Sequence, residues 1–182
     1  MKPALTVICT QGRECLFGEI VDGKMRVNDA GRMVQSVWEE LPRHYAGMEI
    51  DAFVAMPNHI HGIIMLVDGD VVGAGPRARP DNRKSRPLDG QPRGVAPTMS
   101  LPDGVHRFKS LTTARYRQGV TEKGWPPFCH RLWQRNYYEH IIRGEGELDR
   151  IRLYIGDNPM MWEMDRENPA AQVIRGRESG WV

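Results

Sequence analysis

The stretch that decides the fold runs Met56-Pro57-Asn58-His59-Ile60-His61-Gly62-Ile63. It lies in a largely apolar run, residues 51–67, that is typical of β-strand. Side chains alternate between the two faces of a strand, so His59 and His61 point the same way and Ile60 points the other way. Two imidazoles on one face of a rigid strand make half of a metal site, because imidazole is the commonest metal ligand. The alternative is a pair of core histidines satisfied by hydrogen bonds.

Length and composition predict one soluble domain. A chain of 182 residues suits a single hydrophobic core. The cysteines at positions 9, 15 and 129 are odd in number, far apart and without a CxxC pair, which argues against a disulfide framework or a structural zinc site. No stretch approaches the ~20 apolar residues of a membrane span, and the first apolar run is too short for a signal peptide. We therefore expect a cytoplasmic protein.

Hydrophobic periodicity predicts strands and helices in alternation. Strands or extended segments are expected over residues 4–10, 48–56, 60–67, 128–133 and 137–142, with a hairpin over 16–27. Helices are expected from an N-cap at Asn28 to about His44, from a cap at Ser100 or Asp103 over a short stretch, and over residues 145–157. Because the strand over 60–67 is apolar on both faces, we place it at the centre of the sheet.

Residues 68–97 differ from the rest in being rich in Gly, Pro and Arg, with almost no large apolar side chains. They predict a flexible insertion in one domain, because the residues that follow continue the same core. Its basic side chains are candidate contacts to a nucleic-acid backbone, the alternative being a solvated loop. The basic candidates are Arg77, Arg79, Arg83, Lys84 and Arg86 in the insertion and Lys109, Arg115 and Arg117 on the helix after it.

Tyr154 and Asn158 stand four residues apart at the end of the last predicted helix and share one face of it. Both lie at the border of the stripe formed by Leu148, Ile151 and Ile155. A phenol there can rest its ring on the core while its hydroxyl faces a cleft. The alternative is a boundary tyrosine followed by an asparagine that ends the helix, and on this helix alone both interpretations stay open.

Four segments occur in an order that closely resembles the REP-associated tyrosine transposases, a branch of the single-tyrosine HUH transposases. They are residues 7–20, the Met-Pro-Asn-His-Ile-His-Gly motif at 56–62, Trp-Gln-Arg-Asn-Tyr-Tyr-Glu-His at 133–140, and Tyr-Ile-Gly-Asp-Asn-Pro at 154–159. The resemblance covers about residues 4–162. It implies an α/β (α+β) fold, namely a single HUH domain over residues 1–162 with a ferredoxin-like central antiparallel sheet flanked by helices. A polar tail, residues 163–182, would follow.

The same resemblance implies roles for four residues. His59 and His61 match the HUH metal ligands, Asn158 matches the polar residue that completes the metal site, and Tyr154 matches the catalytic tyrosine. Tyr137 and Tyr138 are rival nucleophiles, which we rank lower because they fall on a predicted strand. Glu139, His140 and His106 are candidate general bases, and none stands out.

The implied activity is DNA transposition and recombination by transesterification of single-stranded DNA, with Mg²⁺ or Mn²⁺ as cofactor and a 5′-phosphotyrosine intermediate. The implied partner is a DNA hairpin, a REP element, with a flanking single strand, so we expect association with the nucleoid and none with membranes. Both a monomer and a homodimer are compatible with the sequence, and related transposases can deliver the tyrosine helix from one subunit to the histidines of the other.

Two other functions remain open. The fold could serve as a non-catalytic DNA-binding module that recognises palindromic repeats, or as a generic metal-dependent hydrolase in which Tyr154 is structural. Relatives usually carry a basic, aromatic stretch before the first strand, whereas this sequence starts at that strand. We expect this difference to affect DNA affinity more than chemistry. The intact set of His59, His61, Tyr154 and Asn158 favours the enzyme.

Overall fold

The histidine-bearing strand lies inside the sheet, as its two apolar faces predict. The computed structural model describes residues 2–66 and 100–171. Within these ranges the strands are β1 (Lys2–Cys9), β2 (Gly18–Val21), β3 (Lys24–Val27), β4 (Met48–Ala55), β5 (His59–Leu66) and β6 (Tyr138–Ile141). The helices are α1 (Asp29–His44), α2 (Leu101–Lys123) and α3 (Glu145–Asp157), with short 3₁₀ turns at Gln11–Arg13 and Trp162–Met164. The predicted insertion with its five basic candidates and the end of the predicted tail lie outside the described residues.

The main sheet has four strands in the order β4-β5-β1-β6, and every neighbouring pair is antiparallel. Leaving aside the small β2–β3 hairpin, the chain runs strand, helix, strand, strand, helix, strand through β1, α1, β4, β5, α2 and β6. This succession with this strand order is the ferredoxin-like arrangement. The predicted fold class, an α+β domain built on a central antiparallel sheet, is confirmed.

Helices cover both faces of the sheet. Ile60 and Ile64 of β5 belong to the core that includes Trp38 of α1 and Phe108 of α2. Ile63, which points the other way, belongs to a second and smaller core with Ile155 of α3. Since His59 and His61 alternate with Ile60, both imidazoles face the α3 side.

The glycine that follows the two histidines, Gly62, leaves room for the ring of Trp38. A Cβ at Gly62 would lie 2.3 Å from the Trp38 ring, far inside van der Waals contact. Trp38 is buried there between Phe53 and Phe108, at 5.0 and 5.5 Å between ring centroids. The missing side chain therefore lets the α1 tryptophan approach the strand on the face opposite the histidines.

The observed elements follow the predicted ones closely, with two differences. Ser100 is the N-cap of α2 and Asp103 completes its capping box, so both predicted caps contribute, but the helix runs for 23 residues and is not short. Residues 128–133 were expected to be extended, yet they form a loop, which an isolated bridge between Thr10 and Trp133 joins to the residue after β1. In the described ranges we find no helix with the length and apolar character to cross a membrane.

Candidate active site

The two histidines of β5 meet at their Nε2 atoms. These atoms are 2.8 Å apart, and the rings stand nearly perpendicular with centroids 4.7 Å apart. Both side chains are buried. Burial lowers the pKa of both imidazoles, and the neighbouring ring lowers that of His61 further. Both rings are therefore neutral near pH 7 and can present lone pairs to a cation.

Asn58 fixes the tautomer of His59. The Asn58 amide donates from Nδ2 to the backbone carbonyls of Arg13 (3.0 Å) and Glu167 (2.7 Å). Its Oδ1 consequently faces His59 Nδ1 at 2.8 Å and can only accept a hydrogen bond. His59 Nδ1 then carries the proton, which leaves the Nε2 lone pair directed into the site. An outer partner that orients a ligating histidine in this way is typical of metal centres.

Asp165 brings a carboxylate to the histidine pair. Its Oδ2 lies 3.5 Å from His59 Nε2, and the ligand atoms of His59, His61 and Asp165 all lie within 4.8 Å of one another. His61 Nδ1 is buried without a hydrogen-bond partner among the described residues. Within the described residues, hydrogen bonding thus satisfies only one nitrogen of this ring, Nε2, through His59. Two neutral imidazoles and a carboxylate are a donor set that fits a divalent cation.

The sequence analysis missed Asp165 because it falls in the segment interpreted as a polar tail. The described part of that segment lies against the histidine end of the sheet. Trp162, the residue before this segment, stacks on His59 with ring centroids 6.1 Å apart, and Glu167 within it accepts a hydrogen bond from Arg13 Nε at 2.7 Å. Burial and the charge of Glu167 raise the pKa of the Cys9 thiol to about 12, so that thiol stays protonated. No spacing in the sequence signals these contacts, since each one joins residues far apart along the chain.

Tyr154 and Asn158 come to the same place from α3. The Tyr154 ring meets the His61 ring edge to face at 5.4 Å between centroids, and its side chain is 52% exposed. Asn158 is buried and donates from Nδ2 to the Tyr154 carbonyl at 3.0 Å. Both residues line one cleft with His61 and Asp165, of about 750 Å³. The chain thus brings together all four residues predicted from sequence, and Asp165 joins them.

The comparisons with known proteins begin with a relative in sequence. No family model matches the chain. A protein of Haemophilus influenzae (strain ATCC 51907 / DSM 11121 / KW20 / Rd) is 36% identical over 162 residues, which cover 87% of this chain and 81% of that protein. The chain belongs to the family of this protein. The relative is described as uncharacterized and so brings no activity with it.

Two solved structures are similar to the chain at low sequence identity. One is a REP-associated tyrosine transposase bound to a REP hairpin, with 17% identity, a TM-score of 0.48, and coverage of 100% of this chain and 69% of that one. The other is a Deinococcus radiodurans protein to which a transposase function has been ascribed, with 16% identity, a TM-score of 0.45, and coverage of 86% and 91%.

The two rival nucleophiles, Tyr137 and Tyr138, differ in their position relative to the cleft. Tyr138 is exposed on β6 and lines the cleft, whereas Tyr137 is not among the lining residues. Burial and a hydrogen bond to Glu139 raise the pKa of Tyr137 to about 12, which disfavours its phenolate. Tyr138 is therefore the closer competitor of Tyr154. The three candidate bases, Glu139, His140 and His106, do not line the cleft either.

The basic candidates on α2 have different surroundings. Lys109 Nζ donates to the backbone carbonyls of residues 134–136, at 2.9 to 3.4 Å. Arg115 makes a two-pronged salt bridge with Glu40 of α1, which lowers the pKa of that carboxyl to about 2. Arg117 is exposed and lies near the Phe128 ring. Lys109 and Arg115 thus stabilise contacts within the chain, whereas the charge of Arg117 is exposed at the surface.

Proposed function

We propose that this protein nicks and rejoins single-stranded DNA with Tyr154 as nucleophile and with a divalent metal, as a tyrosine transposase does. The observation that carries the proposal is the position of an exposed Tyr154 ring against His61, in the cleft that Asp165 also lines. A nucleophile beside a cluster of metal-binding side chains is the arrangement that phosphoryl transfer requires. The motifs that resemble tyrosine transposases support the same assignment.

The chemistry assigned to this chain is one displacement and its reversal. The Tyr154 Oη forms a bond to phosphorus while the bond from phosphorus to the 3′ oxygen breaks, which leaves a 5′-phosphotyrosine and a free 3′-hydroxyl. The phenolic proton leaves to water, and the departing 3′ oxygen takes a proton from water. Because the phosphodiester linkage is conserved in the phosphotyrosine, rejoining needs no nucleotide cofactor.

His59, His61 and Asp165 are the residues that we expect to hold the metal, with Asn158 as the ligand implied by the family resemblance. A bound Mg²⁺ or Mn²⁺ would supply Lewis-acid polarisation of the scissile phosphate. Carboxylate suits both ions, whereas two imidazoles suit softer metals, so we expect Mn²⁺ to bind more tightly than Mg²⁺. Asn58 and the burial of both rings keep the histidines neutral and oriented for this role.

The test is a covalent-adduct assay on a labelled DNA hairpin with a flanking single strand, taken from palindromic repeats near the protein's own gene. We expect a Mn²⁺-dependent adduct that survives denaturation, is lost in Tyr154→Phe and persists in Tyr138→Phe. The second variant is the matched control, because both tyrosines are exposed in the same cleft. An adduct that persists in Tyr154→Phe and disappears in Tyr138→Phe would move the nucleophile to β6.

The same assay separates the alternative functions. Tight hairpin binding without any adduct would identify a DNA-binding module on this fold. Absence of both adduct and binding, with metal bound at the histidines, would favour a generic metal-dependent hydrolase. Action on chromosomal repeats would place the protein at the nucleoid.

A further inference from the structure

A second surface feature, on the other side of the molecule, carries positive charge. An open groove of about 510 Å³ lies between α2 and the loop over residues 130–135. Its charged lining is entirely basic and contains no Asp or Glu: Arg117, Arg131 and Arg135, with His106, His130 and Lys109. The hydroxyl of Ser110 and the amide of Gln134 lie among them. The groove therefore presents positive charge without a neutralising acid in its lining.

The groove arginines have no carboxylate partner among the described residues, in contrast to four arginines elsewhere in the described chain. Arg13, Arg32, Arg115 and Arg152 each pair with an acidic side chain. Arg117, Arg131 and Arg135 are exposed and form no ion pair with any residue in the described ranges. Their charges are thus available to an external partner.

The groove wall is held rigidly. Lys109 clamps the carbonyls of residues 134–136, as described above. Trp133 Nε1 donates to Thr112 Oγ1 of α2 at 2.7 Å, and Gln134 Nε2 donates to the Thr10 carbonyl at 3.1 Å. Several cations from two elements along one open groove match a polymer with repeated negative charges better than one small anion.

The groove and the candidate active site lie near the same end of the sheet. They lie on opposite faces of it. Gln134 bonds to Thr10, and the Thr10 backbone N–H donates to the Asn58 carbonyl at 2.8 Å, one residue before His59. However, α2 packs on the face with Ile60, whereas the cleft with Tyr154 lies on the α3 face. A strand cleaved in the cleft would therefore reach the groove only with nucleotides away from the scissile phosphate.

We propose that the groove between α2 and residues 130–135 binds the phosphate backbone of DNA outside the cleaved nucleotide, an inference that rests on the proposed function for its partner. Arg131 and Arg135 neutralise phosphates from the loop, and Arg117 does so from α2. Such contacts position the DNA and carry no sequence information, so they set affinity and its salt dependence.

The test measures binding of the fluorescently labelled hairpin by anisotropy over a series of salt concentrations. The variant is Arg131→Gln/Arg135→Gln. Its matched control is Arg26→Gln/Arg107→Gln, which removes the same charge from two exposed arginines outside the groove. We expect the groove variant to bind more weakly, with a log K against log salt slope shallower by roughly one unit per lost phosphate contact. The control should retain the wild-type slope.

Further readouts separate this inference from the proposed function. With a saturating short single strand that ends near the scissile phosphate, the groove variant should form adduct at the wild-type rate. Wild-type slope and affinity in the groove variant would overturn the inference, even if Tyr154 forms the adduct. If the groove variant binds the hairpin like the wild type but no longer binds poly-glutamate, the inference is also overturned. That result would indicate an acidic protein as the partner of the groove. A shallower slope without any adduct in the wild type would keep the groove and reject the nicking activity.

Discussion

At the scale of single residues, the site depends on a chain of orientations that begins outside the histidines. Two backbone carbonyls fix the Asn58 amide, Asn58 fixes the His59 tautomer, and His59 directs its lone pair at His61. The asparagine of the histidine motif thus acts on the histidine beside it. Asp165 then supplies the only formal negative charge in the three-residue cluster.

The third metal ligand can be assigned by binding. We expect Asp165→Ala to weaken Mn²⁺ binding at least about tenfold, because it removes a charged donor from the cluster. Isothermal titration with Mn²⁺ measures the change, and Glu163→Ala, an exposed acid on the adjacent 3₁₀ turn, is the control. Loss of affinity in Asn158→Ala, with Asp165→Ala unaffected, would return the third ligand to the position that the family resemblance implies.

At the scale of elements, β5 contributes to the packing on both faces of the sheet. Its histidines face α3 and the cleft, while Gly62 admits Trp38 of α1 on the opposite face. The packing of α1 and the placement of the histidines therefore share one strand. A displacement of β5 on the tryptophan side must reach the imidazoles, since close-packed interiors transmit strain.

The fit of Trp38 against β5 predicts a stability change. Gly62→Ala should lower the free energy of unfolding by about 1–3 kcal/mol, because its Cβ overlaps the tryptophan ring and overpacking of a core costs that much. Urea denaturation measures it. Gly146→Ala on α3 is the control, since a Cβ there meets no atom within 4 Å and alanine favours helix. Equal stability of Gly62→Ala and wild type would mean that Trp38 is not tightly packed against the strand.

At the scale of the whole molecule, the sheet separates two surfaces with different chemistry. The α3 face carries the cleft with His61, Asp165 and Tyr154, and the α2 side carries the basic groove. Tyr154 and His61 of the same chain already touch, because Leu148 and Ile155 of α3 pack on Leu5 and Ile63 of the sheet. One chain therefore brings Tyr154 to its own histidines, so we expect the tyrosine to act in cis.

Mixing two inactive variants tests this arrangement. Under the proposed function, Tyr154→Phe lacks the nucleophile and His61→Ala lacks a metal ligand, so an equimolar mixture should form no more adduct than either variant alone. Each variant mixed with wild-type protein is the control for inhibition, and circular dichroism checks that His61→Ala is folded. Recovery of adduct in the mixture would show that the tyrosine helix of one copy serves the histidines of another.

Much of the fold and four of the five residues of the candidate site could be predicted because their signals are local. The alternation in β5 places both histidines on one face, and the helical spacing of Leu148, Ile151 and Ile155 places Tyr154 and Asn158 beside that core. The caps of α1 and α2 were visible as Asn28 and Ser100. The length of α2 was underestimated because its buried positions continue through Gly119 with a small residue in place of an apolar one.

By itself the sequence determined the strand, the shared face of its histidines and the helix that carries Tyr154, because periodicity and capping act over a few residues. Only the tertiary structure decided that Asp165 joins the cluster, that Asn58 orients His59, and that Arg115 pairs with Glu40. It also decided which cations stay without an acidic neighbour in the α2 groove. These contacts depend on which segments, distant along the chain, pack together in the fold. Neither residue spacing nor local propensity predicts that packing.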